Sequence, residues 1–498
     1  MDEATSGGAD DLPEQMQVRQ DKRVQMLAAG MEPYPAGFRR TARFAEILEQ
    51  FAALDPDEES GDRVTVAGRV IFIRNTGKLC FARLREGDGT ELQVMLSLDR
   101  LGEPALADWK SLVDIGDLVG VEGEVVRSRR GELSVSADTW RTVAKAIRPL
   151  PNAHHPLSEE SRVRQRYADL IVNAESRAMV HARARVLASV RATLARHDFV
   201  EVETPVLQAV QGGAAARPFT VHVNALERDF YLRIALELHL KRLVVGGIER
   251  VYEIGPTFRN EGIDATHAPE FTMLEAYQAY GDCRSIAEVT RQIVVDAANV
   301  LGRTVVPDGS GGEVDLAAPW AWEPLAGLVS RAVGDQVDLD TPLEAMRDIA
   351  RRHEVDHAPG ASSAAILVEL YEKLVEHKLM APTYVCDFPA EIRPLARVRS
   401  DDPRYSDGAD VVIGGVELVT LYTELADPVL QRTILIEQAA LAGVDATAMQ
   451  LDEDYLRALE FGLPPTGGMG LGIDRLLRLL TGEPSLRQTI TFPLLRPE

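Results

Sequence analysis

FRNEGIDATHAPEFTMLEAYQAY, residues 258–280, joins an arginine, a polar loop and a strand of alternating pattern. Over its second half, strand periodicity places Phe271, Met273, Glu275 and Tyr277 on one face and Thr272, Leu274, Ala276 and Gln278 on the other. One face therefore carries an aromatic plate, a carboxylate and a phenol. Arg259, Glu261 and His267 precede it and can grip an anion, because a guanidinium offers phosphate or carboxylate a rigid two-pronged fork. An arginine, a loop and an amphipathic strand in this order form a holder for a phosphorylated nucleotide.

The rest of the chain sets the frame for that holder. Its 498 residues allow two to four domains, and 45% apolar content is ordinary for a folded globular protein. No run approaches the roughly 18 apolar residues of a membrane span, and MDEATSGGADDLPEQ is acidic where a signal peptide is basic and then apolar, so a cytoplasmic protein is expected. Cys80, Cys283 and Cys386 lack paired metal spacing and read as plain core residues. A net charge of −23 argues against a sequence-blind nucleic-acid binder, but the charge is uneven. Residues 61–148 hold 14 Lys+Arg against 13 Asp+Glu, a net of +1, so the remainder carries −24. A near-neutral module on an acidic body fits a selective RNA partner.

Residues 1–12 read as disordered, and QMQVRQDKRVQMLAAG as a helix stopped at Gly30. Residues 63–146 alternate short strands with Gly-containing turns and one brief helix near 105–113, the pattern of a five-stranded OB-type barrel. The linker RPLPNAHHPLSEESRVRQ leads to a helix over about 174–197 and the strand VEVETPVLQ. Near the end, GLPPTGGMGLGIDRLLRLLTG couples Gly-rich chain to a helix opening near Ile473 that projects Arg475 toward a ligand. Residues 283–380 read as an inserted helical subdomain. The expected fold class is α+β, an N-terminal OB barrel joined to a domain built on an antiparallel sheet flanked by helices. Its expected parts are 1–60 (extension and helix), 61–148 (barrel), 149–166 (linker) and 167–498 (main domain).

Residues 258–280 resemble motif 2 of the class II aminoacyl-tRNA synthetases, in the form found in bacterial, actinobacterial-like lysyl-tRNA synthetases. VEVETPVLQ, with Pro205, resembles motif 1, and residues 462–482 resemble motif 3. The resemblance covers about residues 13–498 and includes GGAAARPF (212–219), YLRIALELHLKRLVVGG (231–247), DFPAEIRPLAR (387–397) and the segment 410–428. It implies a reaction: lysine and ATP give lysyl-adenylate and pyrophosphate, and the lysyl group then passes to tRNA(Lys). It also implies a homodimer.

Roles follow from the same resemblance. Arg259, His267 and Arg475 are the implied catalytic residues; with Glu261 and Phe271 they hold ATP, Phe271 and Arg475 sandwiching the adenine. Gly213, Glu237, Glu275, Tyr277, Thr420, Tyr422 and Glu424 are the implied lysine site. Asp410 and Glu417 are the implied ligands of Mg²⁺, two hard oxygen donors with no basic neighbour between them in sequence. Arg74, Phe81, Gln93 and Glu132 take the anticodon-reading positions.

The chain also departs from the family pattern. Thr420-Leu421 replaces Asn-Gly, Leu236 replaces a Pro, Thr266 replaces an Arg, and Asp410 replaces a Glu. A regular hairpin from Asp410 would set Glu417 and Glu424 on opposite faces, so a β-bulge between about Leu418 and Thr420 is expected, turning Leu421 away from the lysine site. Two alternatives stay open: a paralogue that charges a non-tRNA acceptor, and a non-catalytic RNA-binding paralogue.

Overall fold

The computed structural model describes residues 14–151, 157–307, 311–441 and 449–496. The segment 1–12 and part of the linker lie outside the described residues. The chain divides into two compact units at Arg177/Ala178.

In the first unit, strands Glu59–Asn75, Leu79–Arg85, Glu91–Ser97, Leu118–Arg127 and Leu133–Ala144 close a barrel in the order 1-2-3-5-4. Alternation supplies its core: Val66, Val70, Cys80, Ala82, Leu84, Leu92, Val94 and Leu96 all point inward and are buried. Helix Glu103–Leu112 sets Trp109 edge-on to Trp140, with ring centroids 5.2 Å apart. A helix that the sequence reading missed, Phe44–Gln50, presses Phe44 and Ile47 into the same core. The N-terminal helix runs Glu14–Ala28 and ends before Gly30, whose φ is +75°.

The second unit is built on an eight-stranded sheet. Its order is Ala321–Pro324, Thr383–Cys386, Gly408–Ile413, Val416–Thr423, Thr466–Gly472, Glu270–Ala279, Arg250–Phe258, Val200–Glu201. All neighbours are antiparallel except the two outermost pairs. Helices Cys283–Val300, Ile473–Thr481 and Ala174–Arg196 bury one face of the sheet with Leu274, Ala276, Leu421, Met469 and Leu471. The opposite face stays open beneath helices Glu237–Val245 and Glu453–Glu460, and that face carries the site.

Two expectations need correction. VEVETPVLQ is not one strand: Val200–Glu201 joins the main sheet and Leu207–Gln208 a separate three-stranded sheet. Pro205 has no N–H for a ladder, and the Thr204 N–H and hydroxyl both donate to Glu253 instead. Nor is 283–380 a uniform helical insertion. Helix Cys283–Val300 belongs to the central core and Ala321–Pro324 to the sheet. Helices Leu325–Val333, Leu343–Arg352 and Ser363–Leu374 form a second cluster, which packs on Val385 and Val412 of the sheet. Among the described residues no helix is long and apolar enough to cross a membrane.

Candidate active site

Strands Glu270–Ala279, Val416–Thr423 and Thr466–Gly472, with residues from four helices and the loops between, wall a cavity of about 550 Å³ on the open face of the sheet. Strand Thr466–Gly472 shows why. Met469 and Leu471 face the core, while Gly468, Gly470 and Gly472 face the cavity. A Cβ on Gly468 would stand 1.9 Å from Glu424 Oε1 and 2.7 Å from the Tyr277 ring, so the glycines create the space that these side chains occupy. Gly213, at φ +86°, brings backbone to the same cavity, where a Cβ would lie 3.0 Å from that of Ala235.

At one end of the cavity are Arg259, Glu261, Thr266, His267, Phe271 and Arg475. Arg259 lies over the Phe271 ring at 5.2 Å and is largely buried, which lowers its pKa; Glu261, Glu275 and Glu417 act in the opposite direction. It forms no ion pair among the described residues. Arg475, projecting from the start of helix Ile473–Thr481, donates to the Glu417 carbonyl at 2.7 Å. Its neighbour Asp474 fixes that helix start by accepting from Arg183 and from the Thr272 N–H. The loop before the strand folds back on itself: His267 Nδ1 meets Asp264 at 2.9 Å, and Thr266 donates to the same carboxylate. These bonds hold Asp264 well below the usual carboxylate range against its desolvation.

The other end is acidic. Glu237, Glu275 and Glu424 are all buried, with Tyr277 and Tyr422 beside them. Glu275 accepts from the Leu236 N–H at 2.9 Å and the Tyr277 hydroxyl at 3.0 Å; burial and then the nearby Glu237 push it up to about 7. Glu424 is driven by burial up to about 8. Into this cluster reaches a residue that sequence reasoning missed, Lys241, fully buried and paired with Glu237 at 2.5 Å and with Glu424. A signal existed, because Glu237 and Lys241 are four apart on a helix whose buried side is Glu237, Leu240, Lys241 and Val244.

The Asp410–Glu424 hairpin has the expected geometry. Gly414 and Gly415, at φ +61° and +71°, turn the chain so that Val412 pairs with Glu417. Val411 then pairs with Val419, leaving Leu418 as the extra residue of a bulge. Glu417, Thr420, Tyr422 and Glu424 all line the cavity as a result, while Leu421 is buried in the core on the other side.

No basic residue lies between Asp410 and Glu417 in sequence, but one reaches Asp410 from outside the hairpin. Arg393, from the segment 387–397, donates to Asp410 at 2.5 Å and to the Tyr422 hydroxyl at 3.0 Å. Sequence spacing could not place a residue 17 positions away beside it. Burial still pushes Asp410 up to about 6, and its Oδ1 is buried without a hydrogen bond. Glu376 stands nearby, raised to about 7 by burial and by Glu417. No group of three His, Cys, Asp or Glu side chains is placed to hold a metal among the described residues.

In the barrel, Arg74 pairs with Phe81 across the first two strands and stacks over its ring at 4.8 Å. Gln93 donates to Ser134 at 2.9 Å, and Glu132 accepts from Arg83 at 3.1 Å.

Residues 158–496 match the family model of class II tRNA synthetases (D, K and N), and residues 64–143 that of the OB-fold nucleic acid binding domain. The chain is 51% identical to the lysine–tRNA ligase of Kineococcus radiotolerans, covering 98% of both. It is 50% identical to the lysine–tRNA ligase of Mycobacterium tuberculosis, again over 98% of both. It is also 45% identical to the lysylphosphatidylglycerol biosynthesis bifunctional protein LysX of Mycobacterium marinum, over 98% of this chain but 44% of that protein. The chain belongs to the class II aminoacyl-tRNA synthetases, in the group of the D, K and N enzymes, and carries their tRNA-binding OB-fold.

Proposed function

We propose that the protein is a lysine–tRNA ligase of the cytoplasm. The observation that carries this reading is the acidic end of the cavity, where three buried carboxylates and a phenol face a ligand whose own carboxylate would reach Arg259. Buried carboxylates require compensating cations, and lysine brings two ammonium groups. An aspartate side chain would be repelled there. Glu237 and the Gly213 backbone suit the α-ammonium; Glu275, Tyr277, Tyr422 and Glu424 suit the ε-ammonium, with Thr420 alongside.

The lysine carboxylate attacks the α-phosphorus of ATP, and pyrophosphate leaves. Charge grows on phosphoryl oxygens, so fixed positive charge and alignment matter more than a proton-transfer base. Arg259 bridges α-phosphate and carboxylate, and His267 lies toward the outer phosphates. Phe271 and Arg475 flank the adenine, with Glu261 at its amino group. Asp410 and Glu417 fit Mg²⁺: both are oxygen donors, one Asp410 oxygen is unpaired, and this ion typically takes one or two carboxylates and completes its shell with phosphates. When bound, it would offset phosphate charge.

Amino-acid-dependent ATP–pyrophosphate exchange over a panel of amino acids tests the reading; exchange that is not strongest with lysine overturns it. A non-tRNA acceptor is the competing reading, and the Arg74–Phe81 stack favours tRNA, since single-stranded loops are read by stacking and base-edge bonds. Phe81→Ala is expected to reduce aminoacylation by about 1–3 kcal/mol in binding while leaving exchange intact. Equal damage to both steps would remove Phe81 from the anticodon site. We further propose a homodimer, because Val180, Val200 and Leu207 expose apolar surface along the helix and strands around motif 1. Sedimentation at micromolar concentration should give twice the 54.6 kDa chain mass, and a single-chain mass would refute it.

A further inference from the structure

The buried cations of the second unit differ in what they face. Arg233 is locked to Glu253, and Arg393 to Asp410 and Tyr422. Lys241 instead ends inside the ligand cavity's acidic cluster, with no exposed surface. Titratable groups reach it or its partners from several packed elements. Glu237 comes from its own helix, Glu275 and Tyr277 from strand Glu270–Ala279, and Glu424 from beyond strand Val416–Thr423. Tyr455 comes from helix Glu453–Glu460, with its hydroxyl buried. Glu253, on strand Arg250–Phe258, is turned away to Arg233 and Thr204. The Lys241 ammonium lies 6.0 Å from the centre of the Tyr277 ring.

An ammonium buried for packing alone makes little physical sense, since an apolar side chain fills such a site without the cost of desolvation. The charges, however, add up. Counted in their ionised forms, the buried carboxylates Glu237, Glu275 and Glu424 exceed by two charges the one buried ammonium, which pairs with Glu237 and Glu424, and ligand ammonium groups favour those ionised forms. We infer that Lys241 is a positioning and specificity residue: it holds Glu237 and Glu424 in place and sets the pocket to accept a ligand with two ammonium groups. This rests on the lysine reading above. With all three carboxylates ionised, an amino acid with a neutral side chain would leave one uncompensated, whereas the two ammonium groups of lysine match the remaining charge.

Removing the cation has a definite sign. Without Lys241 the pocket holds three carboxylates for two ligand ammoniums, so one carboxyl must take up a proton. Loss of a neighbouring positive charge raises carboxyl pKa values, and Glu424 already lies near 8 with Lys241 beside it. Ionised carboxylates are needed for lysine binding, so binding weakens as pH falls and the dependent range moves to higher pH.

The experiment is the pH profile of the lysine KM in ATP–pyrophosphate exchange, from pH 6.5 to 8.5, for the parent and for Lys241→Met, which keeps length and removes charge. At pH 7 the variant's lysine KM should rise by at least about tenfold, as expected when a buried charge is left unpaired. Its profile should also shift to higher pH, with the ATP KM within about twofold of the parent. Should the Met variant fail to fold, Lys241→Gln removes the charge in a smaller, polar side chain and reads the same profile. Superimposable or parallel profiles, or an equal rise in ATP KM, would assign Lys241 a purely structural role and overturn the inference. A parent that does not exchange with lysine would instead overturn the functional reading, so the two failures are distinguishable.

Discussion

Arg259→Ala is expected to slow lysine-dependent exchange by about 10²–10³, the loss typical of removing one donor aimed at charge that develops in the transition state. The argument rests on how the three arginines near the cavity are used. Arg393 is spent on Asp410 and Tyr422, and Arg475 is tethered to the Glu417 carbonyl. Arg259 is largely buried, supported by the Phe271 ring and by a 3.4 Å contact from Nε to the Ile234 carbonyl, yet forms no ion pair among the described residues. A buried guanidinium without a partner carboxylate is an anion site held ready. The loss should fall mainly on kcat, because the contact strengthens as negative charge builds on the α-phosphate. Arg259→Lys should recover little, since an ammonium cannot bridge carboxylate and phosphate as a fork does. Single-turnover exchange at parent rate in the Ala variant would sink the assignment.

Much of this was legible in the sequence wherever local rules carry the information. Period-two alternation in 271–278 sorts cavity from core without reference to any other segment, and the Gly414-Gly415 turn sets the hairpin register. The bulge at Leu418 was legible too, because two acids required on one face leave only an extra residue to reconcile them. It explains why Leu421, in place of a glycine, sits in the core and leaves the pocket alone.

What escaped notice depends on contacts distant in sequence. Lys241 looks like an ordinary helix residue until Glu424 is brought to it from 183 positions away. Arg393 reads as loop charge until the sheet places it on Asp410. VEVETPVLQ has the composition of one strand, but whether it pairs as one depends on the partner that claims the Thr204 N–H, and that partner is Glu253 on another strand. The segment 283–380 has helical periodicity at both ends, and only packing separates the core helix from the cluster beyond it.

Gly468→Ala should damage lysine recognition more than its size suggests. The strand lies inside the sheet and is hydrogen-bonded on both sides, to Glu270–Ala279 and to Val416–Thr423, so its backbone cannot retreat. The new methyl group would stand 1.9 Å from Glu424 Oε1 and 2.7 Å from Tyr277 Cε1. Both side chains must move, yet Glu424 is paired with Lys241, and the Tyr277 hydroxyl donates to Glu275. Overpacking of this kind costs about 1–3 kcal/mol, which is about 5- to 150-fold in an equilibrium constant. The cost should appear in the lysine KM, with the ATP KM little changed, because Arg259, Phe271 and Arg475 lie at the other end of the cavity. Gly470→Ala is the internal control. It points to the same face, but its methyl group would meet the flexible end of Met273 at 3.3 Å and Glu275 Cγ only at 3.9 Å, so its effect should be several-fold smaller. Equal effects of the two alanines on lysine, or a parallel rise in the ATP KM for Gly468→Ala, would show that Glu424 and Tyr277 do not form the amino-acid end of the site.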